Sequence, residues 1–308
     1  MDKKVSIIGA GNVGSSLARE LFSMGLADIV LLDIVEGLPQ GKALDISQCA
    51  TFNAKAPRIK GTNDYADTAF SDLVVITAGA SRRPGMTRDQ LLEINAKVVS
   101  EATSKVVQHS SDAIIIIVTN PVDVMTYLAL KISGFPSKRV FGLSGALDGA
   151  RFASFISEEL NIPAAEIEPC VIGEHGQNMI VIPRLTMVQK NPLPKITDKI
   201  TIEKLIKLTI NGGAEIVAHL KTGSAYYAPA AAAASMVKAV LNDERKLISC
   251  AAYLNNDYGM SDIITGVPVL LGRSGIMQTV NIPITSAEQE ALEKAVQATR
   301  DTIAKLNL

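Results

Sequence analysis

The strongest constraint on the fold is the composition of the apolar runs in the first half of the chain. Leu73–Thr77 and Ile114–Val118 are rich in β-branched and apolar residues, with no polar residue at every second position. A strand with one wet face alternates, whereas a strand that does not alternate is buried on both faces. Val5–Ile8, Ile29–Leu32, the weaker Ile59–Gly61 and Val140-Phe141 repeat the theme. Helical patterns separate them at 15–24, 40–51, 88–109 and 122–132. This rhythm predicts an α/β protein whose N-terminal part is a Rossmann-type, doubly wound parallel sheet. Ligands bind such sheets at the carboxyl ends of the strands.

The pattern changes after about residue 143. A helix is expected from Ala146 towards Leu160, then apolar stretches at Val171-Ile172 and Met179–Ile182. A prolyl loop, Asn191-Pro192-Leu193-Pro194, precedes long helices at Ile202–Leu220 and Tyr226–Leu241. Gly266-Val267-Pro268-Val269-Leu270-Leu271-Gly272 reads as strand and turn, and a charged amphipathic helix spans 288–307. The expected organisation is a dinucleotide-binding domain over 1–143 and an α+β substrate domain over 144–308.

Composition removes several function classes. The 308 residues are 47% hydrophobic with a net charge of −1, enough for a large core but not a basic surface for nucleic acid. Ala113–Val118 is too short to span a bilayer, so no membrane association is expected. The first strand begins without an apolar leader segment, which predicts a cytoplasmic protein. Cys49, Cys170 and Cys250 are odd in number and widely spaced, and read as reduced core residues. With three histidines and three cysteines, no metal site is expected.

Five segments and the lone Asp33 carry chemistry. Gly9-Ala10-Gly11-Asn12-Val13-Gly14 follows a strand and opens a helix, where backbone N–H groups can approach a pyrophosphate closely. Asp33 ends the next strand, suits a ribose hydroxyl, and would repel a 2′-phosphate, favouring NAD over NADP. Ala78–Arg88 places Arg82, Arg83 and Arg88 among glycines and a proline, as either an anion-closing lid or a solvated basic loop. Asn120, in Thr119-Asn120-Pro121-Val122-Asp123, either donates to a substrate oxygen or caps a helix. Asp148 and Arg151 share a helix face at a spacing of three, as a functional pair or a surface salt bridge. His175 sits in Gly173-Glu174-His175-Gly176, where small neighbours let a substrate reach a neutral imidazole. His109 and His219 read as structural, the latter among core-type neighbours.

Together these motifs, with Gly266–Arg273, resemble the lactate/malate dehydrogenase family over nearly the whole chain. The match is closest to the malate dehydrogenases of the lactate-dehydrogenase-like type. The resemblance implies that His175 accepts the proton, Asp148 orients it and Arg151 grips the C1 carboxylate. It implies that Arg88 polarises the reacting oxygen beside Asn120, and that Arg82 meets the second carboxylate of a dicarboxylate substrate. Asn95 and Val118-Thr119-Asn120 fall at family contacts to NAD. Expected are NAD-dependent, reversible oxidation of (S)-malate to oxaloacetate and a homo-oligomer, dimer or tetramer. Gln177-Asn178, Ala153 and Glu174 depart from the family pattern. Glu174 is more typical of lactate dehydrogenases, so a lactate or other 2-hydroxy-acid dehydrogenase is the alternative. A non-catalytic NAD-binding protein is disfavoured by the proton-relay residues.

Overall fold

The structure, a computed structural model, describes residues 1–80 and 86–306. The first part runs β1 (Lys4–Ile8), α1 (Asn12–Met24), β2 (Asp28–Leu32), α2 (Leu38–Gln48), β3 (Ile59–Thr62), β4 (Leu73–Ile76), α3 (Arg88–His109), β5 (Ile114–Ile117), α4 (Val122–Ser133) and β6 (Val140–Leu143). The second continues with α5 (Gly145–Leu160), β7 (Ile167–Glu168), β8 (Val171–Gly173), β9 (Met179–Val181), β10 (Met187–Val188), β11 (Asn191–Pro192), α6 (Lys199–Leu220), α7 (Tyr227–Leu241), β12 (Lys246–Asp257), β13 (Met260–Gly272), β14 (Gly275–Thr279) and α8 (Ser286–Ala304).

The first six strands are parallel in the order β3-β2-β1-β4-β5-β6, so the strand order reverses between β1 and β4. Such a reversal leaves a crevice at the carboxyl ends of the two strands. The absence of alternation now has its cause. Leu73 and Val75 of β4 join Leu17, Leu21 and Phe22 of α1 in one core layer. Val74 and Ile76 join Leu92 and Val99 of α3 and Met125 of α4 in the other. Ile114 and Ile116 of β5 face the first layer, while Ile115 and Ile117 face the second.

The sheet does not stop at β6. Antiparallel β12 pairs Cys250 with Leu143 and Ala251 with Gly142, and β13, β8 and β9 follow in order. This long hairpin replaces the single strand expected at 266–272. β12 was missed because Lys246–Asp257 mixes small and polar residues, Ser249-Cys250-Ala251-Ala252 and Asn255-Asn256, in a stretch without β-branched density. Gly266 meets Gly173 across the β13–β8 pair, and a Cβ there would lie 2.5 Å from the Gly173 carbonyl oxygen. That close approach seats the turn that begins at Glu174 against the rest of the sheet. Helix ends differ from expectation by a few residues. α2 stops at Gln48 and passes into a short 3-10 turn over Cys49–Phe52, within the helical stretch expected to reach residue 51.

Ile116, fully buried at the centre of the parallel sheet, is a measure of this core. Ile116→Ala is expected to cost about 2–5 kcal/mol of unfolding free energy in urea titrations, from lost burial and the cavity left behind. A loss below about 1 kcal/mol would mean that the layer repacks freely.

Candidate active site

Asp148 is the centre of the site. It lies in the first turn of α5, and its side chain is only 1% exposed. One carboxylate oxygen lies 2.8 Å from His175 Nδ1, and the other accepts Arg151 Nη1 at 3.2 Å. The spacing of three turns Arg151 onto the same helix face, and a Cβ added to Gly213 of α6 would lie 3.5 Å from its guanidinium. Arg151 Nε is buried without a partner among the described residues, so the group keeps donors in reserve. With the carboxylate as acceptor at Nδ1, the proton of the neutral ring sits there and leaves Nε2 with its lone pair.

Burial pushes the His175 imidazole towards a lower pKa, but the charge and hydrogen bond of Asp148 overcome it. The net shift is upward from 6.5, aided by Asp123 and opposed by Arg151. The ring is thus both shielded, at 13% exposure, and basic.

Asp123, the last residue of the Thr119–Asp123 motif, is a site residue that the motif alone does not mark. It follows Val122 in the first turn of α4, is 2% exposed, and its Oδ2 accepts the His175 backbone N–H at 2.9 Å. Its Oδ1 has no partner among the described residues. Burial lifts its carboxyl to about 7; the bond to the His175 backbone and the His175 charge oppose the rise, and Glu174 and Asp148 reinforce it. The available signal was a lone acid in an otherwise apolar helix opening, Val122-Asp123-Val124-Met125.

The glycine loop lies between β1 and α1, beside the strand-order reversal. A Cβ on Gly14 would stand 1.8 Å from the Gly9 carbonyl oxygen, so α1 can pack this close to β1 only with glycine there. A Cβ on Gly11 would meet nothing within 4 Å. Gly11 is the N-cap of α1 with no side-chain cap, so the first-turn N–H groups around Asn12 and Val13 face an open cradle suited to an anion. Asp33 Oδ2 accepts the Ala10 N–H at 2.6 Å and Oδ1 the Val35 N–H at 3.0 Å. Each oxygen keeps a lone pair for a ribose hydroxyl. These residues fit a dinucleotide.

Among the described residues Asn95, buried in α3, bonds only to backbone. Its Oδ1 accepts the Ala80 N–H at 2.7 Å, and its Nδ2 donates to the carbonyls of Asn120 at 2.8 Å and Ala80 at 3.3 Å. It ties together the chain after β4 and the chain after β5. Thr119 Oγ1 adds a 2.7 Å bond to the Ala78 carbonyl. Asn120 is exposed, and α4 has Pro121 as its N-cap with no side-chain cap, so the amide does not close the helix. Arg88 opens α3, exposed, behind a capping box of Thr87 and Gln90. Among the described residues it makes no hydrogen bond to His175, Asp148 or Arg151. Arg82 and Arg83 lie outside the described residues. His219, expected among core neighbours, is instead 81% exposed near Glu215, because it falls on the solvent face of α6. Among the described residues no group of histidine, cysteine and acidic side chains is arranged to hold a metal ion, and no helix is long and apolar enough to cross a membrane.

The model of the lactate/malate dehydrogenase NAD-binding domain matches residues 3–142, and that of the α/β C-terminal domain of the same family matches 145–307. The chain belongs to the lactate/malate dehydrogenase family. A malate dehydrogenase of Dehalococcoides mccartyi is 50% identical over 305 residues, covering 99% of both chains. The crystal structure of Cryptosporidium parvum malate dehydrogenase superposes with a TM-score of 0.97 at 38% identity, covering 100% of this chain and 99% of that one. The lactate dehydrogenase of the same organism, complexed with lactic acid and nicotinamide adenine dinucleotide, gives 0.95 at 35% identity, covering 99% and 98%. As a member of this family the chain is an NAD-dependent dehydrogenase, and the family's NAD-binding domain coincides with the parallel sheet described above.

The opposed contributions at His175 give a direct check. In Asp148→Asn the burial penalty loses its main counterweight, so the imidazole pKa should drop below 6.5. NMR titration of the three histidines, with His175→Asn to assign the resonance, reads this directly. An unchanged pKa would mean that Asp148 does not set the basicity of the ring.

Proposed function

We propose that this protein is an NAD-dependent malate dehydrogenase, interconverting (S)-malate and oxaloacetate. The observation that carries the reading is the single buried carboxylate of Asp148 shared between an imidazole and a guanidinium. A base with its orienter, adjoining a cation with donors in reserve, suits removal of a hydroxyl proton from a carboxylic acid. The malate dehydrogenase names of the 50% identical relatives support the substrate.

In this mechanism Arg151 grips the C1 carboxylate through paired hydrogen bonds. Arg82 meets the C4 carboxylate, and Arg88 and Asn120 attend the C2 oxygen. NAD, held by Gly9–Gly14, Asp33, Asn95 and Val118–Asn120, supplies hydride acceptance when bound. His175 takes the hydroxyl proton at Nε2, and Asp148 stabilises the resulting imidazolium. In the reverse direction the protonated ring returns that proton to the carbonyl oxygen. The division of labour is a cofactor half at 1–143 and a substrate half at 144–308. A cytoplasmic homo-oligomer, dimer or tetramer, completes the proposal.

Following NADH absorbance with oxaloacetate and then pyruvate tests the assignment. A preference for oxaloacetate is expected, and a preference for pyruvate overturns it in favour of a lactate dehydrogenase. No turnover of either, with NADH still bound, indicates a binding protein. His175→Asn should reduce turnover by about 10²–10⁴-fold while sparing NADH binding. Retained turnover would remove His175 from the proton step.

Arg82 decides between the two keto acids, which differ only at the far end. Leaving one member of a buried ion pair alone costs about 3–5 kcal/mol. Arg82→Gln should therefore shift kcat/KM from oxaloacetate towards pyruvate, while Arg83→Gln changes little. The opposite pattern would assign the role to Arg83.

A further inference from the structure

We propose that Lys42 is a positioning residue for the cofactor: it holds the glycine loop open to phosphate and places beside it a positive charge that forms no ion pair among the described residues. The inference rests on the reading that Gly9–Gly14 holds NAD. Lys42 lies near the start of α2, half-buried, about a turn after Gly37 leads the chain into that helix. Its Nζ donates to the Ala10 carbonyl at 2.6 Å and reaches Ser15 Oγ at 3.3 Å and the Gly11 carbonyl at 3.5 Å. Ser15 Oγ in turn donates to the Gly11 carbonyl at 2.7 Å.

The Ala10 residue is thus gripped from two sides by opposite charges. Asp33, at the end of β2, takes its N–H at 2.6 Å, and Lys42, from α2, takes its C=O. Ala10 itself is fully buried, so neither backbone group has water as an alternative partner. The arrangement matters electrostatically. A carbonyl oxygen turned towards a pyrophosphate repels it, whereas an N–H attracts it. Lys42 draws the Ala10 carbonyl to its own side, while the Gly11 carbonyl accepts the Ser15 N–H at 3.0 Å and Ser15 Oγ at 2.7 Å. The uncapped N–H groups at the start of α1 are left for the ligand.

The second part of the argument is charge. The loop carries the negative Asp33 beside the place proposed for a doubly charged pyrophosphate. Among the described residues, Lys42 forms no ion pair with any carboxylate. Its charge is committed to the loop rather than cancelled by an acid. A cation so placed offsets Asp33 and favours an anionic ligand, and part of that favour is screened by salt.

The test is NADH titration of the full-length protein by fluorescence, at several salt concentrations, for wild type, Lys42→Met, Lys42→Gln and Lys42→Arg. Loss of the charge-assisted bond in Lys42→Met should raise the NADH Kd about tenfold, equivalent to about 1.4 kcal/mol. The dependence of Kd on salt should become shallower. The loss should appear in Kd and in KM for NADH far more than in kcat. Lys42→Arg keeps the charge and should bind close to wild type, while Lys42→Gln keeps a donor without charge and should fall between. A mere brace between α2 and α1 would lower the thermal midpoint without changing the salt dependence. Should Lys42→Met not fold, the ordering of Lys42→Gln against Lys42→Arg carries the same comparison. An NADH Kd for the uncharged variants within about twofold of wild type overturns the inference, since that is well under 1 kcal/mol. Asp33→Ser separates the two readings. If it alters the NADH-to-NADPH preference while the Lys42 variants are silent, only the Lys42 inference fails. If neither residue affects binding, the placement of NAD on this loop fails with it.

Discussion

A buried carboxylate has few ways to exist, and much of this molecule is arranged around one. Asp148 is almost wholly removed from water. An isolated charge there would be very costly unless paired and hydrogen-bonded. Its partners come from different parts of the chain: Arg151 from the same helix, His175 from the turn after β8. The requirement for pairing therefore acts as a three-dimensional register. It fixes α5 against the far side of the extended sheet, and the close contact of Gly266 with Gly173 lets that side come near enough.

Asp123 adds a second acid to the same few residues. Asp148 bonds the His175 ring and Asp123 the His175 backbone N–H, so two acids and one guanidinium surround a single histidine. Burial is the main cause of the rise at Asp123, whereas at His175 the charges of Asp148 and Asp123 work against burial and win. In the proposed reaction those charges favour the imidazolium. The same cluster leaves Arg151 only lightly bound to Asp148, with donors still available for an incoming anion.

The sequence was most readable where one physical cause dominates. The parallel sheet was legible because burial on both faces of β4 and β5 erases alternation, and α3 was placed residue for residue because its start and stop lie outside any ambiguous apolar run. The pairing of Asp148 with Arg151 followed from helical spacing alone. β12 was not legible, because its partners β6 and β13 supply the burial that its own small and polar residues do not advertise. His219 was misjudged because apolar sequence neighbours do not decide which way a helix face points. Asp123 was overlooked because its partner, a backbone N–H fifty-two residues away, has no side-chain signature.

The two pairs that join β6 to β12 carry one hydrogen-bonded sheet from the first half of the chain into the second, with the short β11-β10-β7 sheet standing apart from it. A cleft enzyme assembled from two loosely tethered lobes can breathe by swinging them apart. Here such a swing would shear main-chain bonds in the middle of a sheet, beneath the loops that carry the site. Asp148 and His175 therefore hang from one continuous sheet, so the geometry that joins them is set by strand register rather than by the docking of two separate lobes.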